Sequence, residues 1–346
     1  MEFRSILLLA LALCAAIPAE AQVAKRQPII DMHLHVLAPD AQGPPPLGMC
    51  TPIAEMPAWD PGAGPYVDTI MAIFKKPSCK DPVWSPDTRE EMRARTLAEL
   101  EKHDVIGVLS GDSDKDIADW RKASPDRIIP ALGDSIRMPV VDAATVARVK
   151  AMKASGDLVV LSEIGPQYMG MAPDDPRLEP FWALAEELDL PVGIHVGTGP
   201  PGTPYLAPPL KDYRARLHSA LVIEEVLARH PKLRVYLMHA GYPMIDDLLA
   251  VLYTHPQVYV DVGVIVYTQP RPAFYRYLQA IVEAGFAKRV MFGSDNMVWP
   301  ETIGRSIEVI QQAPFLSEAQ KRDIFYNNAA RFLRLDAATI ARHHAL

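Results

Sequence analysis

Three observations predict an α/β chain folded as a single (β/α)8 barrel: eight short apolar runs, a helical segment after each of them, and ionisable residues placed where the runs end. Runs that are apolar on both faces and separated by helices indicate parallel strands, because a parallel connection needs a crossover. Eight such units in strict alternation point to a closed barrel rather than an open doubly wound sheet. The turn after the first run lacks a glycine-rich fingerprint, which argues against a dinucleotide site.

The first run, Ile29-Ile30-Asp31-Met32-His33-Leu34-His35, is the stretch around which the others are arranged. On a strand, alternation puts His33 and His35 on one side and Met32 and Leu34 on the other. Ahead of it, Arg4, the apolar stretch from Ile6 to Ile17 and the small-x-small sequence Ala19-Glu20-Ala21 have the form of a secretory signal over residues 1–21. Residues 22–346 are then expected to form one barrel domain, exported to the periplasm or secreted. Leu13 stands before Cys14 where lipid attachment would want a small residue, and no later apolar stretch is long enough to span a bilayer. A net charge of −7 speaks against a nucleic-acid partner, which would require a basic face.

Residues 37–86 differ from the rest. Ten prolines from Pro44 to Pro86 crowd this stretch, and neither structural period is sustained in it. Long loops in compact domains are usually functional or disordered, and Trp59, Tyr66, Phe74 and Trp84 supply apolar surface for packing. The expectation is an ordered loop insertion over the barrel mouth. Cys50 and Cys79 both lie in it; a disulfide and two free thiols are the two readings.

After the insertion the alternation is regular. Helical segments are expected at 87–103, around Trp120, and at 140–153, 176–188, 216–229, 243–253, 274–284 and 302–335. The remaining apolar runs are 105–109, 127–132, 158–164, 191–196, 233–238, 258–262 and 290–292.

In a barrel of this kind chemistry sits at the carboxyl ends of the strands. His33 and His35 end the first run, Glu163 the fourth, His195 the fifth, His239 the sixth and Asp295 the eighth. Burying six ionisable groups together is costly unless a cation or a dense hydrogen-bond network compensates. Histidines with carboxylates at an open site suit zinc or manganese, which lower the pKa of water towards neutrality.

Through Ile30-Asp31-Met32-His33-Leu34-His35, the His195 strand, His239-Ala240-Gly241 and Phe292-Gly293-Ser294-Asp295, the chain resembles the amidohydrolase superfamily, and most of all its amidohydrolase-2 branch. That branch holds aminocarboxymuconate-semialdehyde decarboxylase-type enzymes, benzoate decarboxylases and lactone hydrolases. The resemblance covers nearly the whole mature chain and implies a TIM barrel. It implies either of two metal counts. One ion, usually zinc, would sit on His33, His35, His195 and Asp295, with His239 as an acid/base. Alternatively Glu163 would bridge two ions, with His195 and His239 on the second. The other reading of Glu163 is a carboxylate that orients ligands or touches substrate.

The activity expected is hydrolysis of a carboxylic ester, lactone or amide bond, with Asp295 ligating the metal or accepting the proton of the attacking water and His239 assisting the leaving group. Non-oxidative decarboxylation of a carboxylated aromatic or muconate-like compound is the alternative. Several decarboxylases of the branch carry glutamate in place of the first histidine, whereas His33 is retained here. An exported enzyme is also well placed to hydrolyse compounds arriving from outside. A third reading is a metal-binding barrel without turnover. Tyr168, Tyr205, Lys211, Arg214, Tyr242, Tyr267 and Trp299 fall on strand-end loops as candidate contacts for a small-molecule substrate, and residues 197–202 read as a mouth loop. The resemblance allows a homodimer.

Overall fold

The computed structural model describes residues 27–133 and 141–346. The secretory signal at 1–21 lies outside the described residues, as does residue 140, where one helix was expected to start.

Eight barrel strands run in chain order: Ile29–Val36, Val105–Gly111, Ile128–Gly133, Leu161–Ile164, Val192–His195, Val235–Met238, Tyr259–Asp261 and Val290–Met291. All of their pairings are parallel and follow sequence order, as the eight apolar runs predict. Regular ladders join the first three strands and, separately, the last five. The two sets meet through a single Ala131–Val160 bridge, beside which Val159 N–H donates to Pro130 O at 2.9 Å. At the other junction, Met32 N–H donates to Phe292 O at 2.9 Å and Asp295 N–H to His33 O at 2.7 Å.

Two apolar clusters result. The larger lies between the strands and the surrounding helices. The smaller takes Ile30, Met32, Val108, Ala131, Val160, Tyr236, Met238 and Met291 from strand regions on all sides, with Tyr326 and Phe332 from the C-terminal helices. The pairing of the first strand slips between Asp31 and Leu34. Strict alternation therefore fails: Met32 packs in the smaller cluster and Leu34 in the larger, although His33 and His35 still meet.

The helix expected at 87–103 is present as Arg89–Lys102, started by Thr88, whose hydroxyl accepts from Glu91 N–H. Other segments differ. In 216–229, 3-10 turns at Ala215–His218 and Ala220–Ile223 precede a short helix, Glu224–Arg229. His218 O accepts from Gly197 N–H, and Ser219 Oγ donates to Asp247 while accepting from Leu221 N–H; these bonds pull the chain out of helical register. The tail divides after Thr302–Gln311, where Pro314 cannot continue a helix, and restarts at Ser317 with a reciprocal cap from Gln320.

The insertion contains a helix that its sequence concealed, Tyr66–Lys75, and a short antiparallel ladder of Gly48–Met49 with Val83–Trp84. Cys50 and Cys79 are joined in a disulfide. The insertion is tied to three carboxyl-end segments. Tyr66 OH donates to Pro201 O, Ile53 N–H to Thr268 O, and Trp299 Nε1–H to Leu47 O, each at 2.9 Å. Gly202, at φ +72°, lies so close to Tyr66 that an added Cβ would stand 2.1 Å from the ring, so only glycine serves there.

Candidate metal centre

Imidazole nitrogens and carboxylate oxygens converge from five strand ends, and all six residues are buried. His33 Nε2 and His35 Nε2 lie 3.1 Å apart. Glu163 Oε2 stands 3.5 Å from the first and 3.3 Å from the second, and Asp295 Oδ1 is 3.7 Å and 3.3 Å from the same atoms. On the other side of the Glu163 carboxylate, Oε1 lies 2.5 Å from His195 Nδ1 and 3.5 Å from His239 Nε2. Those two nitrogens are 3.0 Å apart. Glu163 therefore turns one oxygen to each histidine pair.

Two overlapping groups of donors lie close enough together for a divalent cation: His33, His35 and Asp295, and His33, Glu163 and His239. His195 stands beside Glu163 and His239 rather than in the first of these groups.

Charge balance supports the fit of a cation. Asp295 Oδ1 is buried without a hydrogen-bond partner among the described residues. Burial alone would push His33 and His35 down, yet the surrounding carboxylates reverse the shift. Asp295 and Asp261 hold His33 well above its ordinary value, and Asp295 with Glu163 lifts His35 to about 9. Against the opposing effect of burial, the four histidines hold Glu163 well below the carboxylate range, and His33 and His35 lower Asp295. In the metal-free protein, protons on the histidines thus supply positive charge where a cation would. The donor types, imidazole nitrogen with carboxylate oxygen, suit zinc or manganese.

The backbone is bent to bring these groups in. His239, Ala240 and Asp295 occupy the left-handed region at φ 61°, 48° and 50°. Such residues store strain of order 1–3 kcal/mol each and persist where surrounding contacts over-determine them.

A surrounding layer holds the rings. His35 Nδ1 is 3.1 Å from Ser110 Oγ, and His35 N–H donates to Asn296 Oδ1 at 2.9 Å. His33 Nδ1 faces Asp261 Oδ2 at 3.2 Å, and His239 Nδ1 donates to Gly263 O at 2.9 Å. Gln167 Nε2 donates to His195 O, and Tyr267 OH to Asp295 O. Ser110, Gln167 and Asp261 escaped the sequence reading. A signal for Asp261 exists: Val260-Asp261-Val262-Gly263 ends the seventh apolar run with an acid two residues before a glycine, as His239-Ala240-Gly241 ends the sixth with a histidine.

The candidate substrate contacts separate into groups. Tyr168 is at the cluster, with OH 3.3 Å from His195 Nε2. Tyr242 is half-buried and packs edge-on against Tyr277. Tyr267 and Trp299 are buried and committed to Asp295 O and Leu47 O. Arg214 donates to Lys211 O and Tyr213 O of its own loop, Lys211 is exposed, and Tyr205 packs against Trp59 of the insertion.

The model of the amidohydrolase family matches residues 30–335, which include every residue of the cluster. The chain belongs to the amidohydrolase superfamily, in its amidohydrolase-2 branch. A curated relative, the gamma-resorcylate decarboxylase of Rhodococcus jostii, is 29% identical to this amidohydrolase over 192 residues, which are 47% of this chain and 56% of the relative. Solved structures with the same fold include a dihydroxybenzoic acid decarboxylase from Polaromonas with bound manganese and the inhibitor 2-nitroresorcinol, at 16% identity and TM-score 0.56 over 90% of this chain and 99% of that one. A probable 2-pyrone-4,6-dicarboxylic acid hydrolase from Acinetobacter baumannii has TM-score 0.52 at 18% identity, covering 89% of this chain and 99% of that one. The superfamily is one of metal-dependent enzymes. No helix among the described residues is long and apolar enough to cross a membrane.

Proposed function

We propose that this amidohydrolase is an exported hydrolase that opens a carboxylic ester, lactone or amide bond with two divalent ions, zinc or manganese, bound at the cluster. The observation that carries this reading is the division of the Glu163 carboxylate, Oε2 towards His33 and His35 and Oε1 towards His195 and His239. A carboxylate so placed suits a bridge between two cation positions, with Asp295 completing the first.

A divalent ion held by such ligands lowers the pKa of water and polarises a carbonyl oxygen. Asp295 accepts the proton of the water that attacks the carbonyl carbon, and its lowered pKa keeps it ionised for that task. In this two-ion reading His195 and His239 would hold the second ion, so Asp295 would pass the proton taken from the water to the departing oxygen or nitrogen. The insertion, tied over the ends of the fifth, seventh and eighth strands, limits the entry of bulk water.

Metal content of the mature protein, purified without chelator or added metal, tests this reading alongside the Glu163→Gln variant. Two ions per chain, falling to one or none in the variant, are expected. A single ion unchanged by the variant would remove the bridge and favour the second reading, decarboxylation of a carboxylated aromatic acid, which the relatives named above suggest. In that reading His239 handles the proton delivered to the ring. Carbon dioxide release from dihydroxybenzoates, set against hydrolysis of pyrone lactones, separates the two.

A further inference from the structure

Among the buried carboxylates around the cluster, Asp261 is distinctive because it reaches both sides of it. Its Oδ1 accepts from His239 N–H at 3.1 Å and from Gly263 N–H at 2.8 Å. Its Oδ2 faces His33 Nδ1 at 3.2 Å. That contact falls outside strict hydrogen-bond geometry, yet both atoms are buried and neither has another partner among the described residues. An unpartnered buried acceptor opposite an unpartnered buried ring nitrogen is satisfied only if the nitrogen carries a proton aimed at the carboxylate. Two glycines close the space around the pair: a Cβ at Gly263 would stand 2.6 Å from His33 Nδ1, and one at Gly293 would stand 2.9 Å from His33 Cβ. His33 has no room to rotate away.

The same turn fixes a second ring. The Gly263 N–H is held by Asp261, and the Gly263 carbonyl accepts from His239 Nδ1 at 2.9 Å. A carbonyl can only accept, so His239 Nδ1 carries the proton and its Nε2 faces Glu163 and His195.

We propose that Asp261 is the positioning residue of the metal centre, setting His33 directly and His239 through the Asp261–Gly263 turn, so that both rings present an Nε2 lone pair to the cation. This rests on the metal-binding reading of the cluster. Outer carboxylates of this kind fix ring orientation and raise ligand basicity, and their loss commonly weakens metal binding by 10–100-fold. Asp261 touches no reacting group, so its effect is exerted through the two histidines.

The test is calorimetric titration of metal-free protein with Zn2+, comparing wild type, Asp261→Asn and Asp31→Asn. Asp31 is an equally buried control whose Oδ1 accepts from the main-chain N–H groups of His33 and Ser294 and faces no ring nitrogen of the cluster. Asp261→Asn is expected to weaken Zn2+ binding by about 10–100-fold, and Asp31→Asn by much less. Equal affinity of Asp261→Asn and wild type, or equal losses in both variants, would overturn the inference while leaving the metal-binding reading intact. A wild type that takes up no Zn2+ would overturn both. Should Asp261→Asn fail to fold, histidine NMR of nitrogen-labelled, cadmium-loaded wild type decides the matter. Metal coupling to Nε2 of His33 and His239 is expected; coupling to Nδ1 of either ring refutes the assignment.

Discussion

The two histidine pairs of this centre have the same chemistry and different surroundings. His33 and His35 come from one strand, are supported through Asp261, Ser110 and Asn296, and are pushed up by carboxylates. His195 and His239 come from different strands; His239 leans on the Gly263 carbonyl and His195 on Glu163. Burial and the neighbouring His239 drive His195 down, while Glu163 and Asp295 keep His239 above its ordinary value. The first pair is shifted towards positive charge on both rings, whereas the second is split, one ring shifted down beside one shifted up. A pair that draws protons strongly when empty is the one expected to draw a cation strongly, so the two positions should differ in affinity, with the His33 and His35 side filling first.

The largest expected effect tests the carboxylate on that first side. Asp295→Asn should lower kcat/KM by about 10²–10⁴-fold, the range associated with loss of general acid–base assistance; steady-state kinetics on a turned-over lactone or ester would measure it, and full activity would remove Asp295 from the chemistry. Next in size is the contrast between histidines. His35→Gln should strip both ions, whereas His195→Gln should leave one, as read by metal analysis after gel filtration. Equal losses would erase the distinction between the pairs.

The third prediction uses the opposite signs of the shifts in the metal-free protein. His35 has a folded pKa of about 9, above its unfolded value, so its contribution to stability is complete below about 6.5 and lost as pH rises towards 9. His195 is shifted down, and His218, desolvated and beside His195, falls to about 3; their contributions are complete above about 6.5 and lost as pH falls. Asp31, raised by burial to about 6, opposes this on the acid side. Thermal melts of metal-free protein should therefore peak near pH 6.5, and a Tm still rising at pH 9 would contradict the assignment. Metal-loaded protein should lose the alkaline decline, because binding replaces those protons.

A smaller effect is expected at the insertion, which meets the second side through Tyr66 and the loop that follows His195. Gly202→Ala should drive the new Cβ into the Tyr66 ring and raise KM while leaving metal content unchanged. Reduction of the Cys50–Cys79 disulfide should cost about 2–4 kcal/mol of stability, measured by denaturant titration. The smallest effect is expected for Tyr168→Phe, which removes one hydroxyl at 3.3 Å from His195 and is worth about 1 kcal/mol.

Much of this was legible in the sequence because barrel strands and their ends obey short-range rules. Apolar runs between helices located all eight strands, and the histidines and acids at their ends located all six cluster residues. The missing parts depend on contacts distant in sequence. Tyr66–Lys75 is an amphipathic helix of ten residues, but it lies among prolines, which mask so short a period in the sequence. Its packing is set by Pro201 and Trp299, far along the chain. Asp261 resembles any strand-end aspartate until His33 is placed 3.2 Å away. The Cys50–Cys79 bond required two backbones to approach to a Cα separation of 5.8 Å, which spacing alone does not reveal. The helix expected over 216–229 was displaced by bonds from Gly197 and Asp247, which periodicity does not register.

The interrupted ladder of the barrel has a mechanical consequence. His33 and His35 belong to the three-strand part, whereas Glu163, His195, His239 and Asp295 belong to or follow strands of the five-strand part. One junction rests on the Ala131–Val160 bridge and its neighbouring bond; the other is stitched partly by Asp31 and Asn296 side chains. A cation shared by His33, His35 and Asp295 would act as a rivet through both parts, so metal occupancy would govern whether the barrel unfolds as one body or opens first along its seams.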